Sequence, residues 1–221
     1  MIVPTLNEEE GIGPTLKELR DVLGDPYLLV VDGNSTDNTI KIAKDMGAEI
    51  LIQKGKGKGD ALLEAFRYNR VNSNYVVMID ADGSMDPKEV PSFIQALKSG
   101  ADIAKGSRFL PNAHSKDLSL IRRIGNRIMV SLVNLIWSTN YTDLCYGFMA
   151  FKKEALKSLS KYLSSRGFEI ETEICIKAKK LGLKVVEVPS VELKRKYGRS
   201  HLRTFRDGLR ILVKIIREIF D

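Results

Sequence analysis

Tyr75-Val-Val-Met-Ile-Asp-Ala-Asp-Gly-Ser-Met-Asp86 is an apolar run that ends abruptly in carboxylates. Tyr75 to Ile79 is long and apolar enough for a buried parallel strand, and Asp80 and Asp82 follow where that strand would leave its sheet. In open α/β sheets ligands gather outside the carboxyl ends of the strands, so two acids there are placed to hold a divalent cation. Hard oxygen donors suit Mg2+ or Mn2+. The competing reading is a plain turn, because Asp, Gly and Ser are common turn residues. The other strand exits decide between the two.

Three more apolar runs precede this one. Met1-Ile-Val-Pro-Thr5 leads into Leu6-Asn-Glu-Glu-Glu-Gly11, where acids collect at a helix start as the macrodipole favours. Tyr27 to Val31 ends in Asp32-Gly-Asn-Ser-Thr-Asp-Asn-Thr39, and Ala48 to Ile52 is followed by Gly55-Lys-Gly-Lys-Gly59 and a helical pattern through Phe66. Strand and helix then alternate onward, with strands predicted at Ala101–Ala104, Phe148–Phe151 and Lys184–Val188. This predicts a doubly wound α/β fold with a mostly parallel central sheet and helices on both faces. Capping explains one of Asp32 and Asp37, and Asp32 ends a strand at the same rim as Asp80. Glu169, Glu171 and Glu173 alternate with apolar residues and read as a solvated helix entry.

The chain has 221 residues, 43% hydrophobic and 29% charged, as expected of one folded domain with a substantial core. Cys145 and Cys175 stand far apart, so neither a disulfide framework nor a zinc site is expected. No apolar run approaches the length of about eighteen residues that marks a membrane span, and the N-terminus shows no signal-peptide pattern. Charge is uneven. Residues 1–104 carry 11 Lys/Arg and 17 Asp/Glu, whereas residues 105–221 carry 24 and 11. A basic second half points to an anionic partner: nucleic acid, a phospholipid surface or a phosphorylated substrate. It holds two amphipathic segments. In 118–137, apolar residues at 120, 121, 124, 128, 132 and 135 make one stripe beside Arg122, Arg123, Asn126 and Arg127. In 202–220, a stripe at 202, 205, 209, 212, 216 and 219 opposes Arg203, Arg206, Arg210, Lys214 and Arg217. Both read as core-packing helices or as interfacial ones.

The Gly-Lys-Gly-Lys-Gly run can cradle phosphate with backbone amides at a helix N-terminus, or can be a flexible loop. It is not a Walker A loop, and no Gly-x-Gly-x-x-Gly follows the first strand, which argues against P-loop and dinucleotide-binding domains.

Taken together, Pro4-Thr-Leu-Asn-Glu-Glu9, Val30-Val-Asp-Gly-Asn-Ser-Thr-Asp-Asn-Thr39, Gly57-Lys-Gly-x-Ala61 and Asp80-Ala-Asp82, in this order, resemble the family 2 glycosyltransferases of the GT-A fold. Gly106-Ser-Arg-Phe109, Thr142-Asp143 before Gly147-Phe148, Phe168-Glu-Ile-Glu171, Glu187-Val-Pro189 and Tyr197-Gly-Arg-Ser200 are similar to the dolichol-phosphate mannosyltransferase and polyprenyl-phosphate glycosyltransferase branch. The resemblance spans nearly the whole chain. It implies a nucleotide-sugar-binding half, 1–104, and an acceptor-binding half, 105–221, within one domain. Pro4, Thr5, Asn7, Glu8, Asp32, Lys58 and Asp80-Ala81-Asp82 would line the donor site. Glu8 and Asp32 would meet the base or ribose, Lys58 the diphosphate, and Asp80 and Asp82 an Mg2+ or Mn2+ ion. Arg108 and Arg123 would grip the acceptor phosphate, and Asp143 is a further catalytic candidate.

The implied activity is metal-dependent, inverting transfer of a hexose, mannose from GDP-mannose or else glucose from UDP-glucose, to a polyprenyl or dolichyl phosphate. A UDP-sugar enzyme with a hydroxyl acceptor would need a base, for which Asp143 or Glu171 would serve. A basic membrane-surface or nucleic-acid module is the alternative of another class; a carboxylate rim on the acidic half speaks against nucleic acid. Gly33 stands where relatives often carry a second acid, Ser84 where some carry Gln, and His201 where Lys is usual. Members of this branch often add C-terminal membrane helices. None is read up to Asp221, so the expectation is a peripheral enzyme on the cytoplasmic face of a membrane, attached directly or through a separate anchoring subunit.

Overall fold

The computed structural model describes residues 1–68, 73–198 and 200–221. Arg199 of the Tyr197–Ser200 motif lies outside the described residues. In chain order the elements are β1 (Ile2–Thr5), α1 (Glu9–Leu23), β2 (Leu29–Asp32), α2 (Thr39–Asp45), β3 (Glu49–Ile52), α3 (Lys58–Arg67) and β4 (Tyr75–Met78). There follow α4 (Val90–Lys98), β5 (Ile103–Ser107), β6 (His114–Ser115), α5 (Leu120–Trp137), β7 (Met149–Lys152) and α6 (Lys153–Leu159). The chain closes with α7 (Ile170–Lys180), β8 (Val185–Pro189), β9 (Val191–Glu192) and α8 (Thr204–Arg217).

Seven strands form one sheet in the order β3-β2-β1-β4-β7-β5-β8, and β6 pairs with β9 in a separate ribbon. Side chains alternate across the strands, as the pleat requires. Val3, Val30 and Val77 pack with Ile12, Leu16 and Phe93 of α1 and α4. Ile2, Leu29, Val31 and Met78 pack on the other face with α3, α6 and α7. Helices therefore cover both faces, as the alternating pattern predicts.

One strand runs against the rest. β7 is antiparallel to both β4 and β5, pairing Met78 with Met149 and Lys105 with Met149. The reversal brings the entry of β7, rather than its exit, to the rim where β4 ends. Thr142 to Gly147, the loop before β7, thereby joins the carboxylate end of the sheet.

Local chemistry sets the ends of several elements. Asp86 accepts the Lys88 amide at 2.9 Å ahead of a 3-10 turn begun by Pro87, the residue expected to open the next helix. Asp37 accepts the Thr39 amide at 3.0 Å and caps α2, as its position suggests. Ser119 caps α5 through the Arg122 amide.

Candidate active site

The exits of β1, β2, β3 and β4 form the floor of a cleft of about 1120 Å³. Its lining includes Pro4, Thr5, Glu8, Lys58, Asp80, Ala81, Asp82 and Arg108, all read from the sequence as site residues. The cleft continues between α5 and α8, past Ile121, Arg122, Ile124, Phe205 and Leu209.

Asp80 leaves β4 into an ion pair with Lys58, whose Nζ lies 2.8 Å from Oδ1. Lys58 opens α3 and also reaches Glu171 Oε1 at 3.0 Å. Burial opposes the charge on Lys58, yet the two carboxylates outweigh it and raise its pKa. Glu171 is pushed up by burial, with Lys58 pulling it back. The glycines of this loop have a steric cause. A Cβ on Gly57 would lie 2.4 Å from the Arg166 carbonyl oxygen and one on Gly59 2.4 Å from that of Ser165. Close backbone packing against the 165–167 segment, rather than flexibility, fixes the motif, and it aims Lys58 at the rim. A Cβ on Gly147 would come 2.7 Å from Lys58 Nζ and would push that side chain aside.

Asp82 is buried, accepts the Ser84 amide at 2.9 Å, and meets Arg195 Nη2 at 2.6 Å. Arg195 also reaches Glu8 at 3.4 Å. It is carried by a strap, residues 193–198, that crosses the carboxylate rim. The amides of Lys196 and Tyr197 donate to the Asp82 carbonyl at 3.1 and 3.3 Å, and that of Leu193 to Ser84 at 2.8 Å. Burial pushes the Glu8 carboxyl up to about 7, with Arg195 acting the other way. Arg195 carries no motif signal; only the fold brings it to Asp82.

Among the described residues no group of three or more His, Cys, Asp or Glu side chains is set to hold a metal by itself. Asp80 and Asp82 fit an ion shared with substrate phosphates, the usual way Mg2+ is bound. Two buried carboxylate oxygens on the cleft wall, Glu8 Oε2 and Glu171 Oε2, have no hydrogen-bond partner among the described residues.

Other expected residues serve the frame. The Asp32 carboxylate is fully buried and accepts Thr5 Oγ1 at 3.0 Å, the Ser35 amide at 2.7 Å and Ser35 Oγ at 2.6 Å. Asn7, exposed and left-handed at φ 55°, ties β1 to the next loop through Ser35 and the Thr36 amide. Neither side chain lines the cleft. Arg108 is buried in a two-toothed pair with Asp143 at 2.7 and 3.0 Å, and its Nη1 reaches Glu192 at 3.1 Å. Burial would raise the Asp143 carboxyl, but Arg108 more than offsets it and holds it low. Arg123 stands exposed over the Phe109 ring at 5.8 Å, outside the cleft lining. Its neighbour Arg122 lines the cleft and donates to Thr204 Oγ1 at 3.2 Å.

Glycosyl transferase family 2, as a family model, matches residues 1–160. Glycosyltransferase AglJ of Haloferax volcanii is 34% identical over 98% of this chain and 70% of its own length. The chain belongs to glycosyltransferase family 2. Dolichol-phosphate mannosyltransferase of Pyrococcus furiosus is 31% identical over 98% of the glycosyltransferase and 63% of the relative. Undecaprenyl-phosphate mannosyltransferase of Micrococcus luteus is 29% identical over 91% and 86%. Among solved structures, glucosyl-3-phosphoglycerate synthase of Mycobacterium tuberculosis, in complex with Mn2+ and UDP, superposes with a TM-score of 0.75. It is 20% identical over 99% of this chain and 78% of that one, a likeness of fold.

In the glycosyltransferase the two amphipathic helices turn their apolar stripes outward. Leu120, Ile121, Ile124, Ile128 and Leu135 of α5 are exposed, as are Phe205, Leu209, Ile216 and Ile219 on or just beyond α8. α8 docks by another face, Asp207, Ile211, Ile215 and the following Glu218. Lys214, placed by periodicity on the basic face opposite the stripe, pairs with Glu173 at 2.5 Å and Glu218 at 3.0 Å. Glu171 and Glu173 are buried ion-pair partners rather than a solvated entry; the periodicity showed the helix but not what would cover it. His114 and His201 are exposed. No helix among the described residues is long and apolar enough to cross a membrane.

Proposed function

We propose that this glycosyltransferase moves a hexose, with inversion, from a nucleotide diphosphate sugar to a polyprenyl phosphate, GDP-mannose being the leading donor. The observation that carries the reading is the continuity of the cleft. It runs from the carboxylate rim, past Arg122, into a groove between two helices whose apolar stripes face outward. The mannosyltransferase names of two relatives support the same acceptor class.

Donor and acceptor meet at the rim. Asp80 and Asp82 would hold Mg2+ or Mn2+ together with the diphosphate, and the ion would neutralise charge developing on the leaving group. Lys58 orders Asp80 and Glu171 beside the diphosphate. Thr5 and Gly33 border the path of the ribose, while Asp32 and Asn7 hold the loops that shape it. An acceptor phosphate oxygen attacks the anomeric carbon, the bond from that carbon to the diphosphate breaks, and the nucleoside diphosphate departs. A phosphate monoester is ionised at neutral pH, so positioning and electrostatics suffice without a strong base.

Arg122 takes the role that Arg123 has by sequence. Its Nη groups have no partner among the described residues, and a guanidinium suits phosphate. Arg108 stiffens the acceptor side through Asp143 and Glu192. Of the two carboxylates that could serve a hydroxyl acceptor as base, Asp143 is committed to Arg108 through both oxygens, and Glu171 gives one oxygen to Lys58. This favours the ionised phosphate acceptor.

The outward stripes, flanked by Arg203, Arg206 and Arg210, would rest the enzyme on an anionic membrane surface as a peripheral protein. Incubation with labelled GDP-mannose or UDP-glucose, Mn2+ and polyprenyl phosphate should yield labelled glycolipid. Its absence with every donor, from folded protein, would refute the reading.

A further inference from the structure

The rim that holds Asp80 continues outward over β1, β2 and β3. Three strand spacings carry it about 14 Å from the exit of β4 to that of β3. This is the reach of an extended nucleoside diphosphate whose diphosphate lies at Asp80. The residue at the far end is Gln53, immediately after β3.

Gln53 is buried to 5% exposure and lines the cleft. Its backbone is fixed on both sides, since its amide donates to the Asp32 carbonyl at 2.9 Å and its carbonyl accepts Asn34 Nδ2 at 3.2 Å. The side-chain Nε2 points to the Gly57 carbonyl at 3.5 Å, which leaves Oε1 as the free end of the amide. Oε1 has no donor among the described residues. A Cβ on Gly33 would stand 3.3 Å from Oε1 and 3.4 Å from Leu6 and from the Thr5 carbonyl oxygen. Oε1 is open to the cleft, and an acceptor that no protein donor meets there can be matched by a ligand N–H.

We infer that Gln53 Oε1 reads the base of the nucleotide, over the space left open by Gly33, and selects bases that carry a ring N–H. Uracil and guanine present a protonated ring nitrogen on that edge; cytosine and adenine present a bare acceptor there and must shift to offer Oε1 their exocyclic amino group instead. The glycine at 33 is then part of the device, because a side chain there would crowd Oε1. This rests on the nucleotide-sugar reading above and adds the group that discriminates among nucleotides.

Calorimetric titration with UDP, CDP, GDP and ADP in Mg2+ tests it. The wild-type enzyme should favour UDP over CDP, or GDP over ADP, by about tenfold, the scale of one hydrogen bond made or lost. Gln53→Leu should reduce that ratio to within about twofold by weakening the keto-base nucleotide alone. Gly33→Ala, which keeps the amide and adds a methyl over it, should blunt the same preference and decides the matter if Gln53→Leu does not fold. Nucleotide binding with an unchanged ratio in the folded Gln53→Leu protein, or in Gly33→Ala if that variant must decide, would overturn the role of Gln53 and leave the nucleotide-sugar reading standing. A folded wild-type enzyme that binds no nucleoside diphosphate would bring down both.

Discussion

If Asp82 is a metal ligand, Arg195 competes with the metal for it. The guanidinium lies 2.6 Å from Asp82 Oδ2 and 3.4 Å from Glu8 Oε1, so an incoming cation must displace it or share the carboxylate. Hydrogen bonds to charged groups contribute about 1.5–3 kcal/mol net. Arg195 keeps 24% of its side chain exposed, and solvent screening brings the contact to the lower end. At 1.4 kcal/mol per factor of ten, removing it should tighten nucleotide-free Mn2+ binding about tenfold. The free-Mn2+ electron paramagnetic resonance signal, titrated against Arg195→Gln, measures this directly. Lys196→Gln is the control, since it removes the same charge from an exposed neighbour and should change affinity by less than about twofold. Equal Mn2+ affinity in wild type and Arg195→Gln, or an equal gain in the two variants, would refute the competition.

Asp82→Asn should lower metal-dependent turnover more than about a hundredfold while leaving the thermal midpoint within a few degrees; unchanged turnover would remove Asp82 from the metal. At Phe205, 81% exposed, and Leu209, 63% exposed, paired changes to Ser should sharply reduce liposome flotation without loss of fold, whereas equal recovery would assign the stripes to protein packing. Glu218 is buried among Lys177 at 2.9 Å, Lys180 at 3.0 Å and Lys214 at 3.0 Å. Burial would raise its pKa, but the lysines outweigh that and lower it. Its stabilisation is therefore complete above the ordinary carboxylate range and lost as pH falls through the depressed value. Glu218→Gln should cost about 2 kcal/mol at pH 7, roughly 4–8 °C in Tm, with the difference from wild type shrinking in acid; a constant difference across pH would count against it.

Much of this architecture follows from patterns a sequence shows directly. Apolar runs ending in Thr5, Asp32 and Asp80 place the rim, because a buried strand must surface where its polar residues begin. Periodicity also finds α5 and α8. It does not say which face is covered, and in α8 the covered face is one that mixes Asp207, Lys214 and Glu218 with two isoleucines. The choice between Arg122 and Arg123 turns on one step of helical phase, about 100°, which a stripe a third of the circumference wide does not resolve. Arg195 and Gln53 escaped for different reasons. Arg195 reaches Asp82 only through a strap 113 positions further along the chain. Gln53 has a local signal, a polar residue at the next strand exit on the rim, but is hidden beside the conspicuous glycine-lysine run.

The reversed strand β7 also governs how the molecule is assembled. Until Met149–Lys152 is in place, β4 has an open edge, and the β5–β8 pair has no hydrogen-bonded link to the first four strands. During synthesis, all of residues 79–148 must emerge after β4 before its partner arrives. Such late, long-range pairing is slow, and an open edge is where chains stick to one another. Destabilising substitutions in β7 should therefore depress soluble yield more than they lower the stability of protein that has already folded.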